Sequence, residues 1–251
     1  MVPTDPGWAD VEKHPTGFSW YANLPEGKGL ETTSGKIEFY SQGLAKNFPE
    51  DTERPPVPHY VPFGPTHQES RASKKAELYP LLLVSNHPRW RLHAQCDDVS
   101  WLREIETCKV RGPDGYQYEP IWIHPTDAAK RGIEQGDILQ MYNDRGAVLG
   151  GAYLTERIVP GAVYQDHGAR VDLIADGLDR GGANNLICPS ESMSANAGNG
   201  LCVSGNLVEV KKADLAALKA SHPEAFARVY DAATGSEYDS WVDSTPPDDA
   251  P

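Results

Sequence analysis

An apolar run that breaks off into a polar loop, Leu81-Leu82-Leu83-Val84-Ser85-Asn86-His87-Pro88-Arg89-Trp90-Arg91-Leu92-His93-Ala94-Gln95, sets the architecture of this chain. Its first four residues are apolar without alternation, the pattern of a strand buried on both faces. The eleven that follow hold two arginines, two histidines and no acid, in a chain whose net charge is −13. A loop of that kind at a strand end offers charge-assisted donors to phosphate and amide edges to a heterocycle. Equally, it reads as a surface loop whose arginines pair with the acidic excess elsewhere.

Working outward, further strands are predicted at residues 120–123, 137–142, 147–154, 161–164 and 206–210, which makes the chain mainly β. Pro125 is placed to start a short helix, and Gly132 to end it in the left-handed conformation. Asn143-Asp144-Arg145-Gly146 is predicted to be a hairpin turn, with Gly146 at positive φ. Beyond Val210, Leu215 and Leu218 are spaced for a helix, and Ser221-His222-Pro223-Glu224 reads as a capping box opening a second. These two helices should pack on the barrel or on a partner domain.

On the N-terminal side, Ile37, Phe39 and Tyr40 suggest a brief strand, and prolines 49, 55, 56, 58, 62 and 65 suggest an extended connector. The expected organisation is the incomplete end of a preceding domain at 1–47, a connector at 48–77, a β-domain at 78–212, helices at 213–230 and an acidic tail at 231–251. That tail holds six acidic residues and no basic one.

With 23 basic and 36 acidic residues, the chain lacks the cationic surface that nucleic acid or an anionic membrane needs. No apolar run reaches membrane-spanning length, and the first thirty residues show neither a signal nor a transit peptide. A cytoplasmic protein is expected, or a periplasmic one if a longer parent chain is exported. Cys96, Cys108, Cys188 and Cys202 form no C-x-x-C pair and read as reduced, mostly buried thiols.

His87, His93 and Cys96 stand in an H-x5-H-x2-C spacing that matches no common structural zinc site, so no metal ligand is assigned. Cys188 lacks a nearby base that would mark a nucleophile, and no catalytic residue is assigned. A second polar concentration, Asp179-Arg180-Gly181-Gly182-Ala183-Asn184-Asn185 with the Ser, Asn and Gly run at 190–199, reads as a mobile loop or as a surface for a purine or pterin edge. Gly198-Asn199-Gly200 is not a dinucleotide fingerprint, because position 203 is Val203.

Several of these phrases resemble, in order, the last domain of the dimethyl sulfoxide reductase family of molybdopterin oxidoreductases. Asn86-His87-Pro88 through Arg91-Leu92-His93-Ala94-Gln95 is similar to a family loop of the type H-P-x-x-R-x-H-S-Q, with Ala94 where serine is usual. His124-Pro125-Thr126-Asp127-Ala128, Arg131-Gly132-Ile133-Glu134-Gln135-Gly136-Asp137, Asn143-Asp144-Arg145-Gly146 and Leu207-Val208-Glu209-Val210 continue the match. Upstream, Ser34-Gly35-Lys36-Ile37-Glu38-Phe39-Tyr40-Ser41 resembles the family's lead-in segment, so the likeness covers roughly residues 30–212. Within the family, the wording around 179–185 is most similar to a transhydroxylase large subunit.

The resemblance implies a double-psi β-barrel, of the type shared with aspartate decarboxylase, carrying two C-terminal helices. It implies a molybdopterin guanine dinucleotide cofactor whose molybdenum or tungsten is held mainly by upstream domains. Cofactor contacts are expected at Asn86, His87, Arg89, Arg91, His93, Gln95, Asn185 and Asn196. Arg91 is the sharpest of these expectations: a loop guanidinium on an open concave face, with no acid in the surrounding sequence to compete for it. Partners implied are upstream catalytic domains or a subunit of the same oxidoreductase, and an iron–sulfur subunit. The alternative is a stand-alone module that handles the free cofactor. Self-cleavage of the decarboxylase kind is disfavoured, since Ser34-Gly35 has the wrong order and Gly235-Ser236 lies in the tail.

Overall fold

A computed structural model of the chain describes residues 30, 32–52, 55–59, 69–105, 107–190, 204–231 and 234. It divides the chain into two compact units, residues 1–61 and 62–251.

In the first unit, a turn is closed by Leu30 N donating to Gly35 O and by Thr32 Oγ1 donating to Lys36 O. Helix α1, Gln42–Asn47, follows, its first turn capped by the Ser41 hydroxyl, which accepts from Leu44 N. The brief strand expected at 37–40 does not form. Ile37, Phe39 and Tyr40 are exposed, and no neighbouring strand among the described residues supplies the ladder partner that an isolated β segment needs. The connector expectation falls in part on residues 60–68, which lie outside the described residues.

Among its described residues the second unit has ten strands: β1 Leu81–Val84, β2 Val110–Arg111, β3 Gln117–Tyr118, β4 Pro120–Ile123, β5 Ile138–Tyr142, β6 Ala147–Leu154, β7 Ala162–Tyr164, β8 Leu173–Ala175, β9 Leu178–Asp179 and β10 Asn206–Lys212. Six of them close on themselves in the order β4-β7-β1-β10-β5-β6 and back to β4. Two of the six pairings, β1 with β7 and β4 with β6, are parallel, and the other four are antiparallel. Strand β6 closes the ring by dividing its far edge: Gly151 to Leu154 pair with β4, while Ala147 and Val148 pair with β9.

The interior follows the strand period of two. Leu81 and Leu83, Ile121 and Ile123, Leu139 and Met141, and Val208 and Val210 are all buried in one cluster. Each side chain sealed there contributes about 1.5–3 kcal/mol of transfer free energy. Strand β6 is buried on both faces because a second cluster, Tyr118, Ile138, Leu149 and Ile174, covers the outside of the wall. Helices α4, Leu215–Ser221, and α5, Pro223–Ala227, pack Leu215, Leu218, Ala225 and Phe226 onto that second cluster. The two C-terminal helices therefore dock on the barrel.

Three local expectations resolve differently. Helix α3, Pro125–Ala129, forms with Pro125 in its first turn, and Gly132 takes φ +62 as its sequence context requires. The β5–β6 hairpin forms too, Tyr142 pairing with Ala147 and the Asn143 side chain accepting from Arg145 N. Gly146, however, is not at positive φ. A Cβ there would sit 3.0 Å from the carbonyl oxygens of Gly177 and Leu186, so close backbone approach, and not turn geometry, calls for glycine. Nor is there a capping box at Ser221. His222 is the N-cap of α5 and makes no side-chain cap bond, because the Ser221 hydroxyl donates backward to Ala217 O within α4.

Candidate functional site

Strands β1 and β7 run parallel with Val84 opposite Tyr164, so the chain leaves both at the same end of the barrel. That register brings residues 85–97 against residues 165–168. Gln165 N donates to Val84 O, His167 N donates to Asn86 O, and Asn184 Nδ2 donates to the Ser85 hydroxyl at 2.9 Å. Three separate segments, after β1, after β7 and after β9, therefore meet at one barrel mouth.

The floor of this mouth is ionic. Arg91 lies buried and grips Glu119 with both guanidinium arms, Nη1 to Oε1 at 2.9 Å and Nη2 to Oε2 at 3.2 Å. Its Nη1 also meets Asp97 at 3.2 Å, and Nη2 donates to His167 O at 3.1 Å. Lys109 pairs with both Glu119 and Asp97. Arg103, on helix α2 (Ser100–Arg103), donates to Asp97 O at 2.7 Å and to Gln117 at 2.6 Å. Burial alone would raise the Asp97 carboxyl, but Lys109 and then Arg91 and Arg103 hold it below the usual carboxylate range.

This overturns one expectation. Arg91 does not lie on an open face; acids six and twenty-eight residues away in sequence hold the terminal nitrogens of its guanidinium. The sequence around a loop does not report which distant carboxylates the fold delivers to it.

Above the floor lies an exposed rim. Asn86, His87, Arg89, His93 and Gln95 are exposed, with His93 and Cys96 in the left-handed region at φ 54 and 68. Leu92 and Gln95 exchange backbone hydrogen bonds and hold this tight turn. Gly168, at φ +81, lies directly under it: a Cβ there would come within 2.4 Å of the His93 backbone. Arg89 stacks its guanidinium over Trp90 at 5.5 Å, which leaves its charge at the surface.

His167, which the sequence reading did not single out, completes the rim. Its Nε2 lies 2.9 Å from His93 Nδ1, and the rings of His87, His93 and His167 sit 4.5 to 4.9 Å apart centre to centre. Burial, then the neighbouring His87, His93 and Arg91, hold the His167 imidazole below its ordinary range. Buried atoms without a hydrogen-bond partner among the described residues gather here as well: His167 Nδ1, Arg91 Nε and both amide atoms of Gln165.

The second polar segment divides between framework and rim. Asp179 accepts from the backbone nitrogens of Asp172, Gly182 and Ala183, which folds that segment back on itself. Arg180 is enclosed by the rings of Tyr116, Phe226 and Tyr230 and bonded to Asp172, so it fastens α5 to the barrel. Asn184 is buried on Ser85, and only Asn185 is exposed. Asn196 lies outside the described residues. Among the expected thiols, Cys108 and Cys188 are buried, whereas Cys96 is exposed.

Residues 81–203 match the family model described as "Molydopterin dinucleotide binding domain". The chain is 37% identical over 196 residues to the pyrogallol hydroxytransferase large subunit of Pelobacter acidigallici, a match covering 74% of this chain and 22% of that one. It is 33% identical over 208 residues to a dimethyl sulfoxide reductase of Escherichia coli, covering 81% of this chain and 24% of that one. Among solved structures, acetylene hydratase from Pelobacter acetylenicus superposes with a TM-score of 0.52 at 21% identity, covering 75% of this chain and 25% of that one, which supports the fold. The chain thus spans about a quarter or less of the length of these relatives. With the barrel, the loop at its mouth and the ordered motifs in agreement, the chain belongs to the dimethyl sulfoxide reductase family, as its molybdopterin dinucleotide-binding domain.

Proposed function

We propose that the rim of this barrel mouth holds the dinucleotide part of molybdopterin guanine dinucleotide, as one portion of a larger molybdenum or tungsten oxidoreductase. The observation that carries the reading is the convergence of the post-β1, post-β7 and post-β9 segments, which sets exposed cationic and amide side chains around unpartnered buried polar atoms. That donor set fits the group. A pyrophosphate needs cationic or N–H donors, which Arg89, His87 and His93 supply, and a guanine or pterin edge needs paired donor and acceptor amides, as on Asn86, Gln95 and Asn185. Asn196 is kept as a further contact of the same kind. Arg91 serves by positioning: locked onto Glu119 and bonded to the His167 carbonyl, it fixes the loop under the phosphates.

When bound, the cofactor's metal supplies the redox or oxygen-transfer step; this domain contributes orientation, electrostatics and exclusion of water. The metal ligand and substrate pocket are assigned to upstream domains or a separate subunit, in keeping with the share of the large relatives that the chain spans. An iron–sulfur subunit is a further proposed partner, and a transhydroxylase-like reaction follows from the likeness to the pyrogallol enzyme. No described helix is long and apolar enough to cross a membrane. We assign the chain to the cytoplasm, and to the periplasm if its parent is exported.

The test is calorimetric titration of the 251-residue chain with guanosine diphosphate, in the presence of a chelator. Saturable binding that weakens about tenfold or more in Arg89→Ala supports the reading, that being roughly the worth of one charge-assisted contact. No binding, or equal binding by both proteins, overturns it.

A further inference from the structure

We propose that His87, His93 and His167 form a binding site for a borderline divalent transition ion, zinc above all. One ligand nitrogen from each ring lies within 4.8 Å of the others, although the three residues come from two loops and His167 stands 74 residues beyond His93. The cluster is the only group of three or more potential ligating side chains found among the described residues.

The geometry is near what zinc requires. Nitrogens each about 2.0–2.1 Å from a tetrahedral ion stand about 3.4 Å apart. His93 Nδ1 and His167 Nε2, at 2.9 Å, are already closer than that. The remaining separations are no more than 4.8 Å, and His87 and His93 are exposed. In the metal-free protein that 2.9 Å contact is a hydrogen bond carrying one proton. Ligation needs both facing lone pairs, so in the neutral pair the donor ring shifts its proton to its other nitrogen, and the two neutral imidazoles then donate to the ion.

Ligand type selects the ion. Three imidazoles without a carboxylate suit zinc, nickel, cobalt or copper and do not suit calcium or magnesium, which take oxygen ligands. Of the two cations in this loop, Arg91 is paired with Glu119 and Asp97 and donates to the His167 carbonyl, and Arg89 lies over the Trp90 ring. Three protein ligands leave a fourth position open for water or a phosphate oxygen. The exposure of His87 and His93 gives that position access to solvent.

The metal site shares His87 and His93 with the proposed dinucleotide contacts, so the two are tested separately. Metal titrations run without nucleotide and nucleotide titrations run with chelator, so each can fail alone. The chain is titrated with zinc by calorimetry and with cobalt by visible absorption. The expected result is one ion per chain, a tetrahedral cobalt spectrum, and affinity reduced at least about tenfold in each of His87→Ala, His93→Ala and His167→Ala. Cys96→Ala should bind as the parent does, since its thiol is outside the cluster. Thermal melting of each variant establishes that it is folded, and His93→Gln replaces any alanine variant that is not. Binding that survives the triple histidine substitution, loss of binding in Cys96→Ala alone, or no stoichiometric binding by the parent would each overturn the proposal.

Discussion

One loop supplies both layers of the barrel mouth, yet its residues meet opposite fates. Arg91 points down and is buried in a network with Asp97, Arg103, Lys109 and Glu119. Arg89, two residues earlier, points out and keeps its charge at the surface. Two arginines of one phrase are therefore different instruments: one holds the loop and the other is offered to a ligand. The reason is topological, since the buried acids arrive from the segments around α2 and ahead of β4, while among the described residues no acid pairs with Arg89.

Substitutions should separate the layers by magnitude. Arg91→Ala leaves the buried Glu119 and Asp97 carboxylates to Lys109 and Arg103 alone and should cost about 3–5 kcal/mol in denaturant unfolding, with Arg91→Lys recovering only part because an ammonium cannot span both Glu119 oxygens. A marginal cost for Arg91→Ala would dissolve the distinction. Gly168→Ala comes next, at roughly 1–3 kcal/mol, because φ +81 and the His93 backbone 2.4 Å from the added carbon both oppose it. It should also loosen the histidine turn, visible as faster amide exchange around His93.

Acid should weaken the floor. With its folded value depressed below its unfolded one, Asp97 contributes stability that is fully present above about pH 4 and is lost as pH falls through the folded value. Unfolding measured from neutral pH downward should show a loss of about 1–3 kcal/mol that Asp97→Asn lacks. A variant as acid-sensitive as the parent would put the linkage elsewhere. The smallest effect belongs to the rim: His87→Ala and Arg89→Ala should shift stability by no more than about 0.5 kcal/mol. Larger losses would show that the rim is framework after all.

The sequence made the barrel wall legible where the strands of the closed ring are long, as β5, β6 and β10 are. Strands β2, β3, β8 and β9 span two or three residues each, too short for any periodicity to register. The loop at 85–97 announced itself by composition, but its partition into floor and rim did not, because Glu119 and Lys109 are distant in sequence and carry no motif. His167 was missed for a similar reason. A signal did exist: parallel pairing of the strand ending at Val84 with the one ending at Tyr164 would have sent Asn86 and His167 to the same place. That pairing is a tertiary fact, and local pattern does not encode it.

The most direct test of the floor-and-rim account is the side-chain NMR spectrum of the chain titrated with guanosine diphosphate under chelating conditions. The account predicts that imidazole signals of His87 and His93 and the guanidinium signal of Arg89 shift together with saturation, while the Arg91 guanidinium signals stay in place. Shifts at Arg91 with an unmoved Arg89 and unmoved histidines would contradict it.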